Sequence, residues 1–161
     1  MDMKKVFLTL LLAVISTGAF AQFEKGTKYV STSISGLNLS YNKNSEFPLG
    51  LQASGGYFVC DNWMVLGQIG WDHRKNFNDF TIGAAGRYYI EQNGIYLNLG
   101  LKYQHIGPTV ANNLYLTPEV GYCFYINQHV SVEPALYYDM CLNDYSNFST
   151  VGLKIGFGFY F

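Results

Sequence analysis

His129, Ser131 and Glu133 occupy alternate positions, a spacing that sets all three on one side of a β-strand. A histidine beside a serine can take its hydroxyl proton and turn it into a nucleophile toward an ester. The same spacing also fits a polar turn residue followed by two side chains packed inside a β-structure. His105 and Asp139 have no serine partner that spacing assigns to them. Metal chemistry is not expected, because His73, His105 and His129 are far apart and Cys60, Cys123 and Cys141 make no C-x-x-C. Three cysteines are an odd number, so at least one is free or paired between chains. No cofactor motif is present. The remaining chemistry is ion pairing among Arg87, Lys102, Glu119, Glu133, Asp139 and Lys154.

The elements that must position these residues alternate with period two, the signature of strands. A first run spans Lys28 to Tyr41, with Val30, Thr32 and Ile34 in one phase and Leu37, Leu39 and Tyr41 in the other, so a bulge near Gly36 is expected. Seven cleaner runs follow: Leu49 to Val59, Trp63 to Trp71, Phe80 to Ile90, Ile95 to Tyr103, Leu114 to Phe124, Val130 to Met140 and Val151 to Phe161. Asn93-Gly94 reads as a two-residue hairpin turn. Pro118 and Pro134 each remove a ladder donor, and local bulges or sites near strand ends are expected there.

The apolar phases carry no charge, whereas the complementary phases hold all six charged residues named above among Gln, Asn and many small residues. A soluble β-barrel would scatter Lys and Glu at higher density over its outer face. A polar phase this poor in charge fits a packed lumen instead, which turns the apolar phase toward lipid. Trp63 and Trp71 bracket one strand at about 26 Å, taking ~3.3 Å per residue; tilted, that approaches the ~25 Å apolar band of a membrane barrel. Further rim aromatics are Phe80, Tyr103 and Tyr138 at one edge, with Tyr57, Tyr122, Phe124 and Phe159 at the other. The fold expected is all-β: an eight-stranded antiparallel up-and-down transmembrane β-barrel. Hairpin spacing sets Lys102 roughly opposite Glu119, and Glu133 near Lys154.

Composition agrees. The chain has 161 residues, 13% of them charged, 17% aromatic, and a formal net charge of -1. That balance argues against disorder and against nucleic-acid binding. Residues 1–21 read as a signal peptide, with Lys4 and Lys5, an apolar stretch from Val6 to Ile15, and Ala19-Phe20-Ala21 before cleavage. The barrel domain is then 22–161.

At the C-terminus, Leu153, Ile155, Phe157, Phe159 and Phe161 resemble the assembly signal of Gram-negative outer-membrane proteins. With the signal peptide and eight runs, the chain resembles the small outer-membrane β-barrels, OmpX-like proteins and the barrel half of OmpA-like proteins. The resemblance implies an outer-membrane location, termini in the periplasm, and inner turns near Asp61, Asn93 and Gln128. It also implies contact with outer-membrane lipids and lipopolysaccharide, insertion by the barrel assembly machinery, and a monomer. Outer connections such as Asn42 to Phe47 and Asp72 to Asp79 look short for an OmpX-like adhesin. The function expected is non-enzymatic, either envelope integrity or surface contact, with a narrow gated channel as an alternative. His129 and Ser131 resemble the His-x-Ser of outer-membrane lipid A deacylases, which makes such a hydrolase another alternative. A soluble barrel binding an apolar ligand is a further one, opposed by the uncharged phases.

Overall fold

A computed structural model describes residues 23–38, 49–74, 77–90, 93–106, 111–143 and 149–161. The alternating runs form β1 (Lys28–Asn38), β2 (Leu49–Cys60), β3 (Trp63–Arg74), β4 (Phe77–Tyr89), β5 (Ile95–Ile106), β6 (Ala111–Tyr122), β8 (Val130–Cys141) and β9 (Thr150–Tyr160). The two-residue β7 (Phe124–Tyr125) continues β6 past Cys123. Neighbours pair antiparallel in the order β6-β5-β4-β3-β2-β1-β9-β8, and β6 pairs with β8 to close the ring. Eight staves therefore make a barrel without an open edge. Closure satisfies the ladder groups internally, a condition for any β-structure in lipid.

Every stave is turned inside out relative to a soluble barrel. Ile34, Leu51, Val65, Ile69, Ile82, Leu99, Leu101 and Ile155 are exposed, while Ser31, Ser33, Gln68, Asn98, Thr117 and Glu133 are buried. The alternation read from the sequence is thus the alternation of lipid and lumen faces.

The β1/β9 register shifts between Ser35 and Leu37, the place where the phase of β1 switches. Residues 39–41 of the expected first strand lie outside the described residues, as does the whole expected signal peptide. Two expectations about turns and connections change. The β4–β5 connection is longer than Asn93-Gly94: Ile90 N–H donates to the Ile95 carbonyl at 2.8 Å, and Gly94 alone of that pair has a positive φ, 69°. The stretch Asp72 to Asp79 is mostly strand, since β3 and β4 pair up to Arg74 and Phe77.

The prolines differ most from expectation. Pro118 lies opposite Leu99 and Pro134 opposite Ile155 in unbroken ladders, away from strand ends and without a bulge. Their missing donors face the other way, where β6 meets β8.

Candidate functional site

Among the described residues, the barrel interior gathers buried charge, and it is layered. At the end where β1 begins and β9 finishes, an aromatic plug closes the mouth. Phe23 stacks on Tyr89 with ring centroids 4.0 Å apart, and Phe58, Tyr125 and Tyr160 pack around it. The segment entering β1 is held there by Asn62 N–H donating to the Phe23 carbonyl at 2.8 Å and Gly26 N–H to the Phe58 carbonyl at 2.9 Å.

Above the plug, Glu133 is a hub. Arg87 Nη1 lies 2.9 Å from Glu133 Oε2, to which the Tyr29 hydroxyl donates at 2.6 Å. The other oxygen accepts from the Tyr160 hydroxyl at 2.7 Å and the Ser131 hydroxyl at 2.8 Å. The Arg87 guanidinium also lies over the Tyr96 ring, 4.1 Å from its centroid. One strand further round, Lys154 Nζ meets Glu119 Oε2 at 2.6 Å, and Arg87 Nη2 stands 3.9 Å from Glu119 Oε1. Arg87, Glu119, Glu133 and Lys154 are all buried and form one connected group. Nearer the loop end, Lys102 Nζ pairs with Asp139 Oδ1 at 2.9 Å, with both side chains partly open. Thr117 donates to that carboxylate.

The pairing therefore differs from the one spacing suggested. The β5/β6 register sets Lys102 opposite Tyr115 and Glu119 opposite Asn98. In β8/β9, Glu133 lies opposite Gly156 and Lys154 opposite Ala135. The physical reason is that long side chains pointing inward cross the lumen, so partners need not be ladder neighbours.

Sequence reasoning missed the aromatic half of the interior. Tyr29, Phe58, Tyr89, Tyr96 and Tyr160 are among the most buried side chains. Their signal was an aromatic in the polar phase, visible in Tyr88-Tyr89 and in Tyr160 between two outward phenylalanines. Glycines make room for such rings: a Cβ on Gly121 would collide with the ring of Tyr96, its ladder partner, and one on Gly152 with that of Tyr137. Asp79, expected in a connection, is a buried lumen residue that accepts from Gln104 Nε2 at 3.3 Å.

The rim aromatics all point outward. Tyr57, Trp63, Trp71, Phe80, Tyr103 and Phe159 are exposed, and Tyr122, Phe124 and Tyr138 are half-buried. Trp63 packs on Tyr88 at 4.9 Å and Tyr122 on Phe124 at 4.3 Å. Leu153, Ile155, Phe157, Phe159 and Phe161 form the outward face at the C-terminus. There Phe161 exchanges backbone hydrogen bonds with Lys28, at 2.7 and 3.0 Å. Cys60 is exposed, Cys123 and Cys141 are buried, and all three are free thiols.

His129 and Ser131 do not act on one another. The imidazole Nδ1 is 3.0 Å from the Tyr160 carbonyl, while the Ser131 hydroxyl is fully buried and donates to Glu133.

The sequence family described as "Outer membrane protein beta-barrel domain" matches residues 7–161. The chain belongs to that family. Solved structures agree on the fold. The N-terminal β-barrel domain of Pseudomonas aeruginosa OprF is 15% identical, covers 85% of this chain and 98% of its own, and superposes with a TM-score of 0.68. Neisserial surface protein A is 16% identical, with 85% and 100% covered and a TM-score of 0.60. Ail of Yersinia pestis is 14% identical, with the same coverage and a TM-score of 0.60. No curated protein matches the chain. As a member of this family, the protein is an outer-membrane β-barrel of Gram-negative type.

Proposed function

We propose that this outer-membrane barrel is a non-enzymatic, side-chain-filled structural element of the cell envelope, serving envelope integrity or surface contact through its outer connections. The observation that carries this reading is the closed interior. Phe23, Tyr89 and Tyr160 block one mouth, and the Arg87, Glu133, Glu119 and Lys154 group fills the middle. An eight-stranded barrel is only wide enough for its own side chains to fill. Pairing offsets much of the desolvation cost that these buried charges would carry alone, so the lumen can be filled and sealed without stranding a charge.

The remaining parts of the reading rest on the sequence, and membership of the family is consistent with them. Residues 1–21 direct export and are cleaved after Ala21, and the termini face the periplasm. Trp63, Trp71 and the other outward aromatics sit at the two membrane interfaces, where amphipathic rings are favoured. The outward surface meets outer-membrane lipids and lipopolysaccharide. The C-terminal run from Leu153 to Phe161 engages the barrel assembly machinery, and the protein is a monomer.

Conductance of the purified barrel in planar bilayers tests the central claim. A flat current at voltages that leave the bilayer intact is the expected result; discrete openings in the wild type would replace it with a narrow channel. Lipid A from cells with and without the protein should give the same mass spectrum. Loss of an acyl chain that requires Ser131 would install the hydrolase reading instead.

A further inference from the structure

One line of the wall is built differently from the others. Between β6 and β8 the paired positions run Tyr115↔Cys141 and Leu116↔Met140, skip the level of Pro118, and resume at Glu119↔Tyr137 through Gly121↔Ala135. They skip again at the level of Pro134 and resume between β7 and β8 at Phe124↔Val132 and Tyr125↔Ser131. The register is the same before, between and after the skips, so neither is a bulge. Both prolines are fully laddered on their other sides, to β5 and to β9. Proline has no N–H, so each withholds one donor from this seam and from no other. The two lie on opposite strands and at different heights, so the seam is weakened at two levels. Among the described residues, the β1–β9 and β2–β3 seams each carry one register shift, and the remaining seams pair without a skip.

We propose that the β6–β8 seam is a built-in line of lateral opening, along which the barrel wall parts before any other strand pair. In lipid no water enters to replace a missing ladder bond, so a seam short of donors has less to lose on parting. Behind the upper skip, the Thr117 hydroxyl and the Lys102–Asp139 pair bridge the lumen side of the same two strands and their neighbour. Side chains thus supply part of the hold that the backbone lacks. The partial exposure of Lys102 and Asp139, unlike the buried group around Glu133, places this bridge in the looser part of the interior.

Amide hydrogen exchange of the folded barrel in lipid nanodiscs, resolved residue by residue, tests this. The seam-facing amides of Leu116, Val120, Leu136 and Met140 should exchange faster than amides of the β3–β4 ladder at the same depth. Pro118→Val restores a donor and should slow exchange at Leu116 and Met140 by up to about tenfold, the scale of one net hydrogen bond. Pro134→Val should act likewise at Leu136, and neither should change the β3–β4 amides. Equal protection of the two seams in the wild type would overturn the proposal. So would valine variants that fold but leave exchange at the β6–β8 seam unchanged, or faster opening at β1–β9.

Discussion

Replacing Lys154 with Met removes one half of the shortest ion pair among the described residues while keeping a chain of similar length. Lys154 Nζ and Glu119 Oε2 are 2.6 Å apart, with side-chain exposures of 8% and 1%, so water screens little of the interaction. Stranding one partner of a buried pair costs about 3–5 kcal/mol. Glu119 keeps Arg87 at 3.9 Å and a hydrogen bond from Asn98 Nδ2 at 3.3 Å, so part of its compensation survives and the expected loss is about 2–3 kcal/mol. Glu119→Gln should cost a similar amount, because Lys154 is then the stranded charge. The double variant has no charge at either position and should recover much of the loss, with a coupling of about 1–3 kcal/mol. Urea unfolding in lipid vesicles, followed by the fluorescence of Trp63 and Trp71 and by the heat-shifted band on gels, measures each term. Lys102→Met provides the contrast. Its pair with Asp139 is partly open, at 15% and 23% exposure, and its loss should cost about 1 kcal/mol. Additive losses at positions 119 and 154, or equal costs for Lys154→Met and Lys102→Met, would refute the argument that burial sets the strength of these pairs.

The lipid face, the glycine cradles and the inner plug can be tested alongside. Leu99→Lys puts a charge on an exposed mid-strand position of the apolar face and should lose ~2–4 kcal/mol, whereas Leu99→Phe should fold at wild-type yield on the same gel assay. Gly121→Ala drives a methyl into the Tyr96 ring and should cost about 1–3 kcal/mol; Tyr96→Leu in the same chain should relieve much of it, and an unchanged unfolding midpoint for Gly121→Ala alone would show the ring is not held there. Phe23→Ala empties the stacked site against Tyr89 and should lower stability by about 3 kcal/mol. N-terminal sequencing of the membrane-inserted protein should begin at Gln22; a start beyond Phe23 would detach the plug from the mature chain.

Strand count, face assignment and the first-strand bulge were legible in the sequence because they are local. Each run reports its own period of two, and the phase switch around Gly36 lies within eight residues of Ile34 and Tyr41. The lumen charges were legible for the same reason: Arg87, Lys102, Glu119, Glu133, Asp139 and Lys154 all fall in the polar phase. Which charge meets which was decided only by the closed barrel. Ladder register depends on how the connections close, and a shift of a few residues moves a side chain to another level of the lumen. Lys154 finds Glu119 two staves away because β8 lies between β9 and β6 in the ring, a neighbourhood that exists only once β6 has closed on β8. The aromatic plug has the same origin: Phe23, Phe58, Tyr89, Tyr125 and Tyr160 come from five parts of the chain and share one mouth. Pro118 and Pro134 state in the sequence that a donor is missing. Only the fold decides that both donors are missing from one seam, because the side of a strand to which a nitrogen points is settled by its neighbours in the ring.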